Sequence, residues 1–332
     1  MQDFILDTGI ILILYLQSIG EWLTPAMGVF TTLGYEQFYV LFLLVLYWCV
    51  NASLGLRIGL LLFFSGAINH LFKVAFRGPR PYWYDPRVLA LSTETTFGVP
   101  SGHAQNAVVL WGVMAARVRK AWAWAGAVLL MFFISISRLY LGVHFPSDIL
   151  VGWLLGLLLL AAYVSWEARL AQWVKRQSRK KQVLLAFSGS FFMLAFGSLA
   201  RSLLDEWTVP EIWVEGARLA APQADPLDPM RFSELMAGAG AFLGLALGAI
   251  LVHSRGGFSA SGSMKRRLAR FPLGLSIALL IFFGGEALLP ETGPVLSAAL
   301  LYLHYALAGL WIAGLAPLLF IRTGLADRAA KV

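Results

Sequence analysis

Apolar residues run in long stretches along most of the chain, and polar or charged residues separate these stretches. Nine stretches can be delimited, at residues 37–50, 54–77, 103–118, 121–141, 146–169, 182–201, 234–253, 271–289 and 295–321. Most reach the roughly 17–25 residues that a membrane-spanning helix requires, whereas 37–50 is short and would need its flanking residues. Because backbone polar groups in lipid must be hydrogen-bonded within the protein, we expect α-helices. The pattern therefore predicts an all-α, multi-pass helical membrane bundle with about nine spans.

The segment before these stretches, residues 4–33, has a different pattern. It is apolar but is interrupted by four polar or helix-breaking residues, Asp7, Gln17, Glu21 and Pro25. This pattern indicates one or two interfacial or half-buried helices, with a true span over residues 4–20 as the alternative. No Lys or Arg precedes Arg57, so the positive region that begins a secretory signal peptide is not expected here.

Composition supports the membrane assignment. Hydrophobic residues make up 59% of the 332 residues and charged residues 13%, whereas soluble proteins carry roughly 45–50% and about 25%. The single cysteine, Cys49, excludes an internal disulfide framework and a cysteine-based zinc site. The net charge is +8. We expect no nucleic-acid partner, because in a membrane protein the position of the positive charges matters more than their sum.

Most of the positive charges lie in turns that would share one side of the membrane. Eighteen of the 26 Lys and Arg residues belong to this set: Arg57, Arg117, Arg119, Lys120, Arg169, Lys175, Arg176, Arg179, Lys180, Lys181, Arg255, Lys265, Arg266, Arg267, Arg270, Arg322, Arg328 and Lys331. With nine spans and an outside N-terminus, all of them would face the cytoplasm. The opposite side would receive the acidic loop 202–233. We expect an integral multi-pass cell-membrane protein with a cytoplasmic C-terminus, and we interpret the basic turns as a topology signal.

Three blocks of chemically useful residues lie at the outer ends of the predicted spans. They are Lys73-Val-Ala-Phe-Arg-Gly-Pro-Arg80-Pro81, then Pro100-Ser101-Gly102-His103, then Ser137-Arg138 followed by His144 and Asp148. Lys73, Arg80 and Arg138 supply one compact charge and two planar forks, which suit a phosphoryl dianion. Ser101, Gly102 and His103 would open a helix, whose free N–H groups and positive dipole end also favour an anion.

Two histidines could then divide the chemistry. His144 can attack phosphorus if a carboxylate holds its far ring nitrogen, and Asp148 lies four residues further on. Because Pro146 suits the first turn of a helix, residues 144 and 148 could face each other. His103 can protonate the leaving oxygen and later deprotonate the attacking water. The pattern indicates phosphoryl transfer assisted by positioned positive charge.

The three blocks resemble the signature of the type 2 phosphatidic acid phosphatase (PAP2) superfamily, which reads Lys-x6-Arg-Pro, Pro-Ser-Gly-His and Ser-Arg-x5-His-x3-Asp. Every specified position matches with its spacing intact, within residues 73–148. The resemblance implies that His144 is the nucleophile that forms a phosphohistidine, Asp148 its orienting partner and His103 the general acid. It also implies that no metal or other cofactor is needed. The phosphate ligands that it implies are Lys73, Arg80, Ser101, Gly102 and Arg138.

A weaker likeness points to the glucose-6-phosphatase branch. The Arg-Pro-Tyr-Trp run at 80–83, the Glu94-Thr-Thr-Phe-Gly run and the long apolar C-terminal part look similar to that branch, which also has nine spans and an outside N-terminus. These residues are not chemical motifs, so they support architecture more than substrate. The domain organisation that we predict is N-terminal helices at 1–36, a five-span phosphatase core at 37–169 and four further spans at 170–332.

The predicted function is hydrolysis of a phosphomonoester or pyrophosphate at the extracytoplasmic face. A lipid phosphate is the first expectation, because the site would lie at the level of lipid head groups and the superfamily is dominated by such substrates. The alternatives are a sugar-phosphate phosphatase, a lipid phosphotransferase that uses the same phosphohistidine, and a non-catalytic lipid transporter. Vanadium haloperoxidases share this pocket, but nine spans argue against a soluble oxidative enzyme. The expected partners are the lipid bilayer and the phosphorylated substrate, and the sequence leaves the oligomeric state open.

Overall fold

The regular elements that the structure describes are all helices, which confirms the predicted all-α class. The structure is a computed structural model and describes residues 2–202, 207–288 and 294–329. Its α-helices are α1 Gln2–Ser18, α2 Thr24–Thr32, α3 Glu36–Val45, α4 Ala52–Phe76, α5 Pro81–Tyr84, α6 Gly102–Val118, α7 Ala121–Tyr140, α8 Pro146–Arg176, α9 Arg179–Ser202, α10 Glu211–Ala220, α11 Ser233–Ser254, α12 Met264–Leu288, α13 Pro294–Leu310 and α14 Ala316–Arg322. A 3₁₀ turn, Glu21–Leu23, and two π-helical segments, Leu46–Val50 and Trp311–Leu315, complete them. Residues 203–206 of the predicted outer loop and Lys331 of the basic tail lie outside the described residues.

Each of the nine predicted apolar stretches is helical over nearly all of its described residues, but nine spans are not confirmed. Within the described residues, seven helical segments are long and apolar enough to cross a membrane, or eight if the bent pair at the N-terminus is one span. The stretches that fall short are the helix at Glu36–Val50 and α6. Helix α6 has 17 residues, which at 1.5 Å each span about 26 Å, less than the roughly 30 Å of a bilayer core.

The N-terminal segment forms two helices with a sharp bend between them. The axes of Phe4–Ser18 and Glu21–Thr32 meet at 86°. In α1, Ile10 and Ile13 are buried in the protein, whereas Phe4 on the same helix is exposed. The bend therefore turns the chain nearly at right angles to α1. Thr31, in α2, then lies close to the third sequence block, as described below.

The chain divides into two compact units by its internal contacts. The first unit comprises Met1–Phe38, Ile68–Glu167 and Ser198–Arg231, and it holds all three sequence blocks. Its hydrophobic core includes Ile13, Trp83, Leu139, Phe145 and Ala217. Residues far apart in the sequence, from α1 to α10, therefore form one core beneath the blocks.

The second unit comprises Tyr39–Ala67, Ala168–Gly197 and Phe232–Val332. Its core is rich in aromatic residues, among them Trp48, Trp311 and Phe320. Helices α11 and α13 approach closely because Gly240 and Gly244 face the backbone of α13, where a Cβ atom would collide with carbonyl oxygens. Small residues at such contacts are typical of helix packing in membranes.

Candidate active site

The ends of four helices bring the three blocks together within the first unit. Lys73 lies in the last turn of α4, Arg138 in the last turn of α7 and Asp148 in the first turn of α8. Helix α6 begins at Gly102, as predicted, and its N-cap residue Ser101 accepts a 3.4 Å hydrogen bond from the backbone N–H of Ala104. Because α6 and α7 pack side by side in opposite directions, the basic turn between them lies at the end remote from the blocks.

The side chains of His144 and Asp148 face each other across one helical turn. Nδ1 of His144 lies 3.2 Å from Oδ2 of Asp148, and the same oxygen accepts a 2.8 Å hydrogen bond from the backbone N–H of Phe145. Nε2 of His144 lies 3.4 Å from Nη1 of Arg80. Burial, followed by the positive charge of Arg80, lowers the pKa of His144 well below its ordinary value. The imidazole is therefore neutral at neutral pH, and a proton on Nδ1 would leave the Nε2 lone pair free to react.

Arg80 is held by the main chain of two loops. It is 1% exposed. Its Nε donates to the carbonyl of Thr96 at 2.6 Å, its Nη1 to the carbonyl of Val143 at 2.9 Å and its Nη2 to the carbonyl of Phe97 at 3.1 Å. These bonds fix the plane of the guanidinium and join the first block to the third. A planar cation fixed in this way keeps its positive charge at one place beside His144, where it would stabilise an oxyanion electrostatically.

Arg138 is fully buried and pairs with Glu94, a residue outside the three sequence blocks. Its Nη2 donates to Oε1 of Glu94 at 2.5 Å, and its Nη1 donates to Oγ1 of Thr31 at 2.6 Å. Oε2 of Glu94 lies 3.8 Å from Nη2 of Arg80. Burial raises the pKa of Glu94, but the positive charges of Arg80, Arg138 and Lys73 outweigh this effect and bring it to about 2. A stable carboxylate therefore lies between the two arginines.

Lys73 reaches the same loop through a threonine. Its Nζ donates to Oγ1 of Thr96 at 2.8 Å, and Nη2 of Arg80 lies 3.3 Å from the same hydroxyl oxygen. The side chain of Thr96 thus connects Lys73 and Arg80, two of the three predicted phosphate-binding cations. The carbonyl of Thr96 accepts the hydrogen bond from Nε of Arg80. Thr96 sets the distance between these cations.

The second block is hydrogen-bonded to the third block and to α4, the helix that carries Lys73. The backbone N–H of Ser101 donates to the carbonyl of Asp148 at 3.0 Å. Nδ2 of Asn69, one helical turn before Lys73, donates to the carbonyl of Pro100 at 3.3 Å. A Cβ atom on Gly102 would lie at an ordinary contact distance of 3.4 Å from Oδ1 of Asn69, so the start of α6 lies against α4. The blocks therefore form one hydrogen-bonded structure.

His103 lies beside the N-terminal segment. Its ring meets the ring of Tyr35 edge to face at 5.0 Å between centroids. Nε2 of His103 and Nε of Arg138 are both buried, and neither has a hydrogen-bond partner among the described residues. Buried polar nitrogens of this kind are rare in folded proteins. At this position, the unpaired Nε–H of Arg138 is suited to a phosphate ligand, and Nε2 of His103 is free to exchange a proton with one.

Four residues that contact the predicted site were not recognised from the sequence: Thr31, Tyr35, Glu94 and Thr96. Glu94 and Thr96 had a faint signal, because both stand in the run that resembles the glucose-6-phosphatase branch. Thr31 and Tyr35 lie in a segment that the apolar pattern marks only as interfacial. Their contacts with Arg138 and His103 depend on the bend between α1 and α2, which no local pattern predicts.

Substitution of Gly34 by alanine should reduce turnover by about tenfold or more, since small misplacements of reacting groups can cost up to roughly 10²-fold. A Cβ atom on Gly34 would overlap the imidazole ring of His103. Gly28→Ala is the matched control, because Gly28 lies in α2 with no atom within 4 Å of the added carbon. Steady-state rates of both purified variants would test this. Equal rates for the two variants would show that the ring of His103 tolerates displacement.

Comparison with known proteins identifies the family. Residues 54–172 match the PAP2 superfamily, and residues 236–328 match the transmembrane extension of PAP2 superfamily phosphatases. Together these matches cover most of the chain, and they include all three sequence blocks. The chain therefore belongs to the PAP2 superfamily of phosphatases, and it is a multi-pass membrane protein.

Individual relatives come from two branches. The chain is 27% identical to glucose-6-phosphatase catalytic subunit 1 of Haplochromis nubilus over 268 residues, which are 68% of this chain and 70% of that protein. It is 26% identical to lipid phosphate phosphatase delta of Arabidopsis thaliana over 174 residues, which are 48% of this chain and 41% of that protein. A crystal structure of a transmembrane PAP2-type phosphatidylglycerolphosphate phosphatase from Bacillus subtilis is similar with 25% identity and a TM-score of 0.41, over 47% of this chain and 85% of that one.

Proposed function

We propose that this protein hydrolyses a phosphomonoester or pyrophosphate through a phosphohistidine on Nε2 of His144. The observation that carries the proposal is the orientation of this ring. Asp148 holds Nδ1 at 3.2 Å, and Nε2 faces the guanidinium of Arg80 at 3.4 Å. A phosphoryl group bound by Arg80 would therefore present its phosphorus to a neutral ring nitrogen, which is the arrangement that nucleophilic catalysis requires.

The reaction would proceed in two displacements. In the first, the lone pair of Nε2 of His144 forms a bond to phosphorus while the bond to the leaving oxygen breaks, and His103 gives that oxygen a proton. In the second, His103 takes a proton from water, the water oxygen bonds to phosphorus, and the bond to Nε2 breaks. Asp148 would stabilise the positive charge that develops on the ring of His144.

The phosphate ligands would be the cations and the helix start that the blocks supply. Lys73, Arg80 and Arg138 would neutralise the phosphoryl oxygens, and the N-terminus of α6, with Ser101 and Gly102, would add backbone N–H donors. The buried Nε atom of Arg138 supports this assignment, because it has no hydrogen-bond partner among the described residues. Metal independence and the need for no other cofactor remain predictions.

A lipid phosphate is the substrate that we propose first. An apolar groove of about 160 Å³ lies between α7 and α8. Its lining includes Leu139 and Pro146, which are one and two residues from Arg138 and His144, together with Ile149 and Trp153. A lipid whose phosphate occupied the site would have apolar surface for an acyl chain at the same level.

A sugar phosphate is the second candidate. The observation that favours it is the breadth of the similarity to glucose-6-phosphatases, which reaches 77% of this chain for the catalytic subunit 1 of Canis lupus familiaris. The similarity to lipid phosphate phosphatase delta covers 48% of the chain.

We also propose that the site faces the extracytoplasmic side and that the C-terminus is cytoplasmic. The basic turn between α6 and α7 lies at the end of these helices remote from the blocks. Positive turns mark the cytoplasmic side of membrane proteins. A membrane-impermeant substrate offered to sealed, right-side-out vesicles should therefore be hydrolysed without permeabilisation.

Release of inorganic phosphate from a panel of substrates tests the function. Purified protein in mixed micelles would receive phosphatidate, phosphatidylglycerol phosphate, diacylglycerol pyrophosphate and glucose 6-phosphate at equal concentrations. The proposal expects the highest kcat/KM for a lipid, and preference for glucose 6-phosphate would establish the second candidate. Passage of labelled phosphate to an added alcohol would indicate a transferase. Release from none of the substrates would contradict the hydrolytic proposal.

A further inference from the structure

Glu94 occupies the place between the two arginines that the phosphoryl oxygens would take. Each of its carboxylate oxygens lies near one guanidinium. Oε1 is 2.5 Å from Nη2 of Arg138, and Oε2 is 3.8 Å from Nη2 of Arg80. A carboxylate and a phosphoryl group offer planar guanidinium groups the same kind of oxygen pair. The two anions would therefore compete for the Nη2 donor of Arg138 and for the positive charge of Arg80.

The main chain of Glu94 is fixed, whereas its carboxylate is open to movement. The hydroxyl of Tyr82 accepts a 2.9 Å hydrogen bond from the N–H of Glu94 and donates a 2.8 Å hydrogen bond to its carbonyl. The side chain of Glu94 is 28% exposed, in contrast to the buried arginines that it pairs with. Rotation of this side chain would free the Nη2 donor of Arg138 and remove a negative charge from beside Arg80, without any change in the loop.

The charges around the site make this competition consequential. Three cations, Lys73, Arg80 and Arg138, face two carboxylates, Glu94 and Asp148, so a bound phosphate dianion would leave the group with a net negative charge. An ionised carboxylate this close to a phosphate dianion is repulsive, and the repulsion is strong where water is largely excluded. The neutral amide of a glutamine at position 94 would remove this repulsion while keeping an oxygen to accept from Arg138.

We propose that Glu94 is an internal competitor for the phosphate site, which occupies Arg80 and Arg138 between turnovers and lowers the affinity of the site for free phosphate. Bound phosphate displaces the carboxylate from the arginines, and the return of the carboxylate promotes the departure of the product. The proposal rests on the proposed function in one respect, which is that Arg80 and Arg138 bind phosphate. It adds a specificity-determining residue that lies outside the three blocks.

The inhibition constant of inorganic phosphate measures the competition directly. We expect Glu94→Gln to lower this constant by about tenfold or more, because one unit charge is removed within a few ångströms of the bound anion in a site of reduced dielectric constant. The KM should fall in parallel, while kcat should fall when product release becomes slower.

Asp85→Asn is the matched control. Asp85 lies in the same loop and pairs with the exposed Arg87 at 2.6 Å, so the same loss of charge there should leave the constant within about twofold of wild type, as expected for an exposed pair.

Two further measurements keep the result unambiguous. Binding of inorganic phosphate and of vanadate to the full-length protein, followed by calorimetry, tests the competition even if no substrate in the panel is hydrolysed, so that failure of the proposed function is recognised separately. Glu94→Asp withdraws the carboxylate by one methylene group and should also tighten phosphate binding, although less than Glu94→Gln, and it decides the question if the glutamine variant does not fold. A role limited to holding the arginines in place predicts unchanged or weaker phosphate binding in the folded variants. Either of those results would overturn the proposal.

Discussion

Replacement of His144 by alanine should reduce phosphate release from the best substrate by at least about 10⁴-fold, because loss of a nucleophile removes the whole displacement pathway. Nε2 lies 3.4 Å from Nη1 of Arg80, and the other ring nitrogen is already held by Asp148. The variant should still fold, since the Asp148 carboxylate keeps the backbone N–H of Phe145 as a donor. The measurement is phosphate release in a single turnover. On the wild-type protein, radioactive phosphate bound through an acid-labile bond would identify the phosphohistidine.

His253→Ala provides the matched control for this substitution. His253 is an exposed residue near the end of α11, and the same side chain is removed without contact to any of the three blocks. The rate of this variant should equal that of the wild type. Wild-type rates from a folded His144→Ala protein, as judged by gel filtration and melting temperature, would refute the proposed nucleophile.

Replacement of Arg80 by lysine should lower kcat by about 10²- to 10³-fold, the effect of losing an oriented donor to developing negative charge. The substitution keeps the positive charge but removes the fork. Arg80 donates at once to the carbonyls of Thr96, Phe97 and Val143. A lysine ammonium has no rigid plane and cannot reach all three from one position. Two or more buried carbonyls would lose their donor, each at a cost of about 1–3 kcal/mol, so the melting temperature should also fall.

The control for Arg80→Lys is Arg87→Lys, in the same segment between α4 and α6. Arg87 pairs with Asp85 at 2.6 Å but is exposed, and exposed ion pairs contribute little. We expect its kcat and melting temperature to match the wild type. If Arg80→Lys retained more than a tenth of wild-type kcat, the planar geometry of Arg80 would not be essential and charge alone would suffice.

The short-range geometry of the site was predictable because it follows local rules. Pro146 suited the first turn of a helix, so His144 and Asp148 could face each other, and they do. The run from Ser101 to His103 was expected to open a helix, and α6 begins there. Such features depend on residues three to five positions apart, where helical geometry fixes the distance. The convergence of the blocks was expected because each block stands at the same end of successive antiparallel spans.

The remaining contacts were not predictable because they join distant parts of the chain. Thr31 and Arg138 are 107 residues apart, and their hydrogen bond exists only because the helices before Thr31 bend by 86°. In the sequence, Glu94 looks like an ordinary acidic loop residue. Only the tertiary fold places Arg80 and Arg138 on either side of it. Side chains that interact through the tertiary fold leave no period in the sequence.

The predicted count of nine spans is not confirmed, for a related reason. Hydropathy locates apolar stretches, but the length of a helix is set by where it is capped. Ser101 begins α6, and Arg119, in the left-handed conformation with φ of 59°, ends it after 17 residues. The apolar pattern at 103–118 contains neither signal, so it cannot distinguish a short buried helix from a helix that crosses the bilayer.

Helix α1 is packed directly against the loop that carries His144. A Cβ atom on Gly9 would lie 2.8 Å from Cδ1 of Phe145 and 3.2 Å from Cδ of Pro146, and Ile13 is fully buried in the same core. Phe145 supplies the N–H that holds Asp148 in place. During biosynthesis, the loop can therefore reach its final form only after the amino-terminal helix has been inserted and has found its position. Hydrolytic activity would then report on correct insertion of the amino-terminal end, and a bulky fusion partner placed there would be expected to disturb the reaction before it disturbed the fold.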